Sequence, residues 1–386
     1  MDTFKRSFVT SLFILLVTVT AFSAGYLTNM YSPSSRIELP LLKEAYQIVK
    51  NHGLQELPEG PSLEYGMIRG LLEAYGDQYS VFLEPVRTEL ESNSLHGSFG
   101  GIGVSLGTDD DGNYIMYPFP DSPAEIAGIL EGDRLSEVDT MMINAGMNVE
   151  DIQAAIRGPV GTNVSITITR PPGYETFEFE VKRAEISLPS VTWHIDSKES
   201  RLGVIVVNII ADPTPGEIEK AVEDLKSRGA THFALDLRNN GGGLLNAGID
   251  TARLFLKAGA VIQQQYRGKD VVTYDVEKPG PLSDIPLVVL VNENTASAAE
   301  IIAGSIQAQD RAKLIGSPTY GKNTIQLVFS LQDKSSIHIT AAEWWIPDLE
   351  FPSGEQGLLP DILLTGSSED PNAALREAAS YFFPQS

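Results

Sequence analysis

The sequence predicts an α/β core that follows a short helical region and an inserted β-rich domain. From residue 191 onward, apolar runs of strand length alternate with stretches that carry apolar residues at helical spacing, a pattern typical of layered α/β architecture. One such run, residues 287–291, is uninterrupted and largely β-branched, as expected for a strand buried on both faces. Between residues 96 and 186, Gly-rich turns and alternating strands dominate instead.

Length, charge and cysteine content exclude several classes of protein. The 386 residues suffice for two or three domains with their own cores. A formal charge of −23 argues against nucleic acid as a partner and against adhesion to anionic membrane surfaces. Because there are no cysteines, disulfides, thiol catalysis and thiolate metal sites are excluded. The redox compartment stays open.

The N-terminus has the layout of an export signal. Lys5 and Arg6 precede an apolar stretch at residues 8–27, and no further charge occurs before Arg36. The stretch is also nearly long enough to span a bilayer, so residues 1–34 are expected to be a signal peptide or an N-terminal membrane anchor. In either case we expect the remainder of the chain to be exported, in the periplasm or outside the cell.

Residues 35–95 are expected to form a small helical region. Amphipathic patterns predict helices over residues 38–50 and 63–75, separated by a Pro/Gly-rich break. The sequence GDQYSVFL follows at residues 76–83, where Tyr79 is most simply a packing residue.

A Gly-rich segment, GGIGV at residues 100–104, opens the β-rich domain at residues 96–186. It bares backbone amides that can hold a carboxylate, and the adjacent strand edge can pair with an extended peptide. A tight turn or bulge explains the same glycines equally well. The candidate peptide-binding residues are Gly101, Ile102, Gly103 and Val104.

An acidic run at residues 109–112, DDDG, invites a calcium interpretation. Position 107 is glycine rather than the first acidic ligand that an EF-hand loop requires. A hairpin turn, with Asp-Gly in its favoured place, is the better prediction.

The α/β core is expected at residues 187–386, with a helix at its C-terminal end. The predicted elements are strands over 202–210 and 231–237, helices over 215–228, 245–256 and 372–382, and strands over 327–331 and 336–341 that continue the sheet. A Gly-rich turn, DLRNNGGGL at residues 236–244, could cradle a phosphate, but the Walker lysine and serine are missing. The alternative is an oxyanion donor, because glycine lets a backbone amide approach a reacting carbonyl closely.

Ser297 lies where the buried strand at 287–291 gives way to a helix, whose first amides point toward an anion or a developing oxyanion. A second strand and a Gly-containing turn can then bring Lys322 close to it. Lysine can activate a serine only if burial without a counter-ion lowers its pKa, and no acid lies within three residues of Lys322. The alternative is that Ser297 merely caps the helix, with Glu300 completing a capping box.

Three stretches together resemble the active-site signature of the carboxyl-terminal processing peptidases, the tail-specific proteases of peptidase family S41. They are NENTASAAE at residues 292–300, TYGK at residues 319–322, and Gln326. The resemblance implies that Ser297 is the nucleophile, that Lys322 is the general base, that Gln326 orients Lys322, and that no cofactor is needed.

The resemblance also covers the domains around the signature. It implies a ClpP/crotonase-like core, in which the amide of Gly242 or Gly243 pairs with that of Ala298 as the oxyanion hole. The order of elements in residues 96–186 is similar to a PDZ domain of the bacterial protease type, which captures polypeptide C-termini. Asn294 and Asn323 stand where the family usually has glycine, and Gly241 replaces a proline.

Other functions explain less of the sequence. None of the five histidines lies in a recognisable triad, and no H-E-x-x-H is present for a metallopeptidase; the histidines are His52, His96, His194, His232 and His338. An acyl-thioester enzyme of the crotonase type fits the strand–helix pattern alone. The expected function is an exported serine endopeptidase for proteins and peptides with free C-termini. The alternative is a PDZ-containing scaffold with impaired catalysis. A homo-oligomer stays open.

Overall fold

The computed structural model describes residues 39–58, 60–109, 111–349, 357–364, 370 and 372–384. The stretch interpreted as a signal peptide or anchor lies outside these residues. Within them, no helix is both long enough and apolar enough to cross a membrane. The chain divides into two compact units, Met1–Glu64 and Tyr65–Ser386.

The helices are α1 (Pro40–His52), α2 (Ser62–Tyr75), α3 (Pro85–His96), α4 (Pro123–Ala127), α5 (Val149–Ile156), α6 (Thr214–Ser227), α7 (Leu245–Phe255), α8 (Ala298–Ala308) and α9 (Ala373–Phe382). The strands up to residue 195 are β1 (Val81–Leu83), β2 (Ser98–Gly101), β3 (Val104–Thr108), β4 (Tyr114–Pro118), β5 (Asp133–Val138), β6 (Met141–Met142), β7 (Asn163–Arg170), β8 (Glu175–Lys182), β9 (Ala184–Ser187) and β10 (Val191–Ile195). The later strands are β11 (Leu202–Val207), β12 (His232–Asp236), β13 (Ala260–Tyr266), β14 (Val272–Asp275), β15 (Leu287–Val291), β16 (Lys313–Gly316), β17 (Thr324–Ser330), β18 (Ser336–Trp345) and β19 (Ile362–Leu363).

In the first unit, α1 begins with a proline in its first turn, where the missing amide hydrogen costs no hydrogen bond. No residue of α1 is buried. The helices predicted over residues 38–50 and 63–75 are confirmed as α1 and α2, within two residues at each end.

The core sheet of the second unit has the strand order β10-β11-β12-β15-β16-β19, with β10 antiparallel to β11 and the other pairs parallel. Alternate residues of β15 face opposite sides. Val289 packs into a large cluster with α6, α7 and α8, while Val288 and Leu290 pack into a smaller cluster with α9. The predicted α/β fold is confirmed, because helices cover both faces of a mostly parallel sheet.

The prediction that the chain after Gln326 continues this sheet is wrong. Both edges of β16 are already paired, with β15 on one side and β19 on the other, so no edge is free for the next strand. The chain instead turns back on itself at residues 331–335, and β17 and β18 form an antiparallel hairpin. This hairpin belongs to a second sheet with the order β1-β18-β13-β14, in which β17 pairs with β18.

The β-rich domain is built on a third sheet, β3-β4-β5-β7-β8, with β6 added to β5. It has its own core, to which Ile152 and Ile156 of α5 contribute. Arg183 is buried and holds the C-terminal end of α5, because its guanidinium donates to the carbonyls of Ile156 (2.9 Å) and Ala155 (3.1 Å). Such contacts satisfy carbonyls that have no partner inside the helix.

The predicted hairpin turn after residue 108 is confirmed, since it joins the antiparallel strands β3 and β4. The carboxylate of Asp109 accepts from the amide of Asn113 (2.9 Å) and from Arg134 (2.6 Å). Its oxygen atoms are therefore used within the hairpin and its neighbouring strand.

Candidate active site

Ser297 occupies the turn between β15 and α8, and its backbone has φ 55° and ψ −120°. Positive φ is uncommon for a residue with a side chain and marks a conformation that the surroundings must enforce. Two long-range hydrogen bonds hold the preceding residues: Ala296 N donates to Asn240 O (2.9 Å), and Thr295 Oγ1 donates to Leu237 O (2.8 Å). Because α8 begins at Ala298, the amide of Ala298 is the first of the helix and has no intrahelical partner.

Glu300 ties this turn to the loop that carries Lys322. Its carboxylate is fully buried and accepts four hydrogen bonds, from Ser297 N (2.9 Å), Lys322 N (2.9 Å), Gly321 N (2.7 Å) and Thr319 Oγ1 (2.5 Å). Burial raises the pKa of Glu300, and the four donors act in the opposite direction. The contribution of Glu300 to a capping box was predicted, but its link to the lysine loop was not. No local pattern indicates a partner 22 positions away.

Lys322 is half-buried, and burial lowers the pKa of its ammonium group because the charged form is poorly solvated there. Its Nζ donates to Gln326 Oε1 (3.0 Å) and lies 5.1 Å from the centre of the Tyr79 ring. Although no acid is near in sequence, Asp77 and Glu91 come close enough in the fold to act against the lowering of the Lys322 pKa. Sequence spacing could not reveal these two carboxylates.

Gln326 is fixed by a contact that the sequence does not indicate. Its Nε2 donates to the carbonyl of Tyr79, so the glutamine bridges Lys322 and the segment before β1. The pairing of β17 with β18 shifts register between Ile325 and Gln326, and such bulges often re-aim a side chain beside an active site. Tyr79, interpreted as a packing residue, therefore also supplies a backbone acceptor.

Ser297 and Lys322 line the same cavity, whose volume is about 430 Å³. Within the described residues, no hydrogen bond joins Ser297 Oγ to Lys322 Nζ. One wall of the cavity is a face of α3 with residues at helical spacing, namely Thr88, Glu91, Ser92, Leu95 and His96. Apolar side chains form much of the rest, namely Leu244, Leu245, Ile301, Ile325 and Trp344. The contribution of α3 was not predicted, because it lies about 200 positions before Ser297.

The Gly-rich turn packs directly against Ser297. A methyl group on Gly242 would lie 2.9 Å from Ser297 Cβ and 3.1 Å from Ala298 N. The amide of Gly242 is already used, since it donates to the side chain of buried Asn240 (2.8 Å), whereas Gly243 is exposed and lines the cavity. In the described part of the chain, the amide of Gly243 has no acceptor. Of the two predicted oxyanion donors, Gly243 is therefore the one whose amide is not already used by an acceptor in these residues.

Asn294 and Asn323, which stand where the family usually has glycine, do not need the backbone freedom of glycine. Neither Asn294 nor Asn323 has a positive φ, so a side chain causes no strain at either position. Asn294 Nδ2 donates to Asn239 Oδ1 (3.0 Å), which links the turn at Ser297 to the Gly-rich turn. Asn323 O accepts from Trp344 N (2.9 Å).

The predicted peptide-binding residues form the passage from β2 to β3. Gly101 ends β2, Ile102 is fully buried, Gly103 has φ 72°, and Val104 begins β3. The glycines thus make a tight turn, and β3 is also the edge strand of its sheet. A tight turn and an edge for peptide binding, the two explanations left open for this segment, are therefore compatible with each other.

Two of the histidines have partners that explain them structurally. His232 contacts the rings of Phe382 and Phe383 at 4.7 and 4.6 Å between centroids. His338 Nε2 lies 3.2 Å from Ser336 Oγ and 3.4 Å from a carboxylate oxygen of Glu91. His338 also lines the cavity shared by Ser297 and Lys322, which the sequence did not indicate.

Comparison with known proteins places these features in one family. Residues 201–364 match Peptidase family S41, and residues 114–170 match the PDZ domain. The chain is 31% identical over 359 residues to the carboxy-terminal processing protease CtpA of Bacillus subtilis, covering 90% of this chain and 76% of that protein. It is 34% identical over 300 residues to a carboxyl-terminal-processing protease of Picosynechococcus sp., covering 77% of this chain and 72% of that protein.

Among solved structures, the photosystem II D1 C-terminal processing protease is 27% identical to the chain, with a TM-score of 0.44, covering 84% of this chain and 86% of that one. The sequence identity and coverage of the two bacterial relatives decide the assignment. The chain belongs to the carboxyl-terminal processing proteases of peptidase family S41 and carries a PDZ domain.

Proposed function

We propose that this protein is an exported serine endopeptidase that captures the C-terminal tail of a polypeptide in its PDZ domain and cleaves it with a Ser297–Lys322 dyad. The observation that carries the proposal is the shared cavity, which is lined by a serine on a strained turn and by a half-buried lysine. Glu300 holds the backbone amides of both residues through one carboxylate.

In the first step, neutral Lys322 takes the proton of Ser297 Oγ as the oxygen attacks the scissile carbonyl carbon. Burial favours the neutral amine, and the hydrogen bond to Gln326 Oε1 orients it. The carbonyl oxygen becomes an oxyanion, which the amides of Ala298 and Gly243 stabilise. Donors of this kind are each worth roughly 10²–10³ in rate.

In the second step, the protonated lysine donates its proton to the leaving amine as the C–N bond breaks, which leaves an ester between the substrate and Ser297. Water then attacks this acyl-enzyme while Lys322 accepts a proton from it. The proton returns to Ser297 Oγ as the new carboxylic acid leaves. Acid–base chemistry by the lysine suffices for both steps.

The PDZ domain supports capture of the substrate tail. The edge of β3 is available for strand addition, and the turn at Gly101 to Val104 lies at its start. Arg157, at the end of α5, stacks over Phe99 at 4.0 Å and is the residue that we propose couples capture to catalysis. An Arg157→Ala variant with unchanged activity and unchanged stimulation by tailed substrates would contradict that role.

The first test is cleavage of an unfolded reporter with an apolar, free C-terminal tail by the full chain and by its Ser297→Ala and Lys322→Ala variants. We expect cleavage by the parent and loss in both variants, with unchanged circular dichroism and unfolding midpoints. An amidated tail should reduce cleavage if the PDZ domain binds the carboxylate. If the parent binds the tailed peptide and cleaves nothing, the chain is a peptide-binding scaffold instead.

The basic, then apolar N-terminus supports export, with a membrane-anchored form as one outcome. Fractionation of cells that express the tagged full chain tests this part. Recovery of the whole protein in the cytoplasm would contradict it.

A further inference from the structure

The strand that follows Lys322 has an unpaired edge. Among the residues that the structure describes, β17 pairs with β18 on one side and with no strand on the other. Proteins normally protect such edges with charge, proline or short length. β17 is seven residues long and contains neither a charged residue nor a proline. The edge strand β8, by contrast, carries four charged residues in eight.

The second half of β17 is also apolar and exposed. Leu327, Val328 and Phe329 retain 38%, 57% and 53% of their accessible surface. Because successive side chains of a strand point to opposite faces, this exposure extends to both sides of the strand. A strand with unpaired amides and exposed apolar side chains is a template for another extended chain.

The same strand borders the catalytic cavity. Five of the seven residues of β17 line that cavity, namely Thr324, Ile325, Gln326, Val328 and Ser330. The strand begins two positions after Lys322, so a chain that pairs with its outer edge runs alongside the cavity that contains Ser297. The exposed edge is therefore continuous with the candidate active site.

We propose that the outer edge of β17 binds an extended segment of the polypeptide substrate by strand addition, beside the scissile bond. Backbone hydrogen bonds hold the segment independently of its sequence, and Leu327, Val328 and Phe329 favour apolar side chains within it. Only a polypeptide without its own strand pairing can bind this way, so the edge selects unfolded chains. This inference rests on the proposed function, because it requires that Ser297 cleaves polypeptides.

The first experiment uses the parent enzyme and synthetic peptides of one sequence, each N-methylated at a single residue. Positions at the scissile bond and in the last four residues are left unmodified. A loss of rate then reflects neither the chemical step nor binding of the tail to the PDZ domain. N-methylation removes one backbone donor, and in strand pairing only alternate donors face the partner. We expect kcat/KM to fall roughly 3- to 10-fold at alternate positions. Losses without alternation, or no losses, overturn the proposal.

The second experiment compares Phe329→Lys with Val272→Lys. Val272 is a matched control because it is exposed to 46% and begins β14, a different edge of the same sheet. Cleavage is measured per Ser297 labelled by a small fluorophosphonate, so that loss of folded enzyme does not count. We expect Phe329→Lys to reduce this ratio about tenfold and to abolish the alternating pattern, and Val272→Lys to leave both unchanged.

The proposal is overturned if the two variants show equal cleavage per labelled Ser297. It is also overturned if the parent is a dimer in sedimentation and Phe329→Lys is a monomer that cleaves at the parental ratio, because the edge then pairs with a second copy. If the parent is neither labelled nor active on any peptide, the proposed function itself fails, and this inference fails with it.

Discussion

Replacing Glu300 with glutamine tests whether one buried carboxylate holds the turn at Ser297 and the loop that carries Lys322 together. Each carboxylate oxygen accepts two hydrogen bonds: Oε2 from the amides of Ser297 and Lys322, and Oε1 from Gly321 N and Thr319 Oγ1. A glutamine keeps one acceptor oxygen and places an NH₂ group at the other position. Whichever way the amide is turned, at least one backbone donor then faces another donor.

The cost follows from these contacts. Hydrogen bonds to a charged acceptor contribute about 1.5–3 kcal/mol each, and burial leaves the orphaned donors without water. Losing one to two of them costs about 3 kcal/mol, which corresponds to roughly 150-fold if it falls entirely on the rate. We expect the loss to be shared between kcat/KM and the free energy of unfolding, because Glu300 holds both the site and the start of α8.

The assay measures kcat/KM on a tailed peptide together with the denaturant midpoint of unfolding, for the parent, Glu300→Gln and Glu293→Gln. Glu293 is a matched control in the same loop, because its exposed carboxylate accepts from Ser317 Oγ (2.8 Å). The control should change both quantities little. A Glu300→Gln enzyme within threefold of the parental rate and with an unchanged midpoint would refute the reasoning.

Three further changes have defined outcomes. In the proposed mechanism the neutral amine of Lys322 is the reactive form and burial lowers its pKa, so kcat/KM should rise with pH to a midpoint below the ordinary 10.5. Glu91→Gln should move that midpoint lower, because Glu91 raises the Lys322 pKa; a midpoint that moves up contradicts this. Gly243 has φ 146°, and Gly243→Ala would place a methyl group against the carbonyl of Ile210. We therefore expect about 3 kcal/mol of destabilisation in denaturant titration and loss of cleavage, and a stable, active variant contradicts this. Asn294→Gly should lower the free energy of unfolding by about 1 kcal/mol in the same titration, because the hydrogen bond from Asn294 to Asn239 is lost. The cleavage rate should not rise, because the φ of residue 294 is not positive and does not favour glycine; a faster enzyme contradicts this.

The parts of the site that sequence could indicate are those carried by contiguous residues. The buried strand Leu287–Val291 was predicted with its observed bounds, and the turn at Ser297 followed from the change of pattern after it. The contacts that complete the site join distant positions: Gln326 bonds the carbonyl of Tyr79, 247 positions earlier. Local patterns carry no information about such pairs, because packing of the whole chain creates them.

The same limit explains the misplaced strands. β17 and β18 were recognised as strands because their composition favours extended structure. The sheet to which they belong was mispredicted, because the sheet that a strand joins depends on which strand edges are free. The short strand β19, which takes the remaining edge of β16, lies beyond residue 360 and gives almost no sequence signal.

The position of α3 has a consequence for engineering. The helix lines the cavity of Ser297 and Lys322 with one face and ends at His96; Gly97 follows it, and its left-handed conformation leads directly into β2, ahead of the PDZ domain. Each residue of a helix turns it by about 100°, so one residue inserted before the lining positions would carry them out of the cavity. A foreign PDZ domain that replaces the native one must therefore be joined after Gly97, with the length of α3 preserved. Splices that ignore this helical phase would exchange the recognition module and dismantle a cavity wall at the same time.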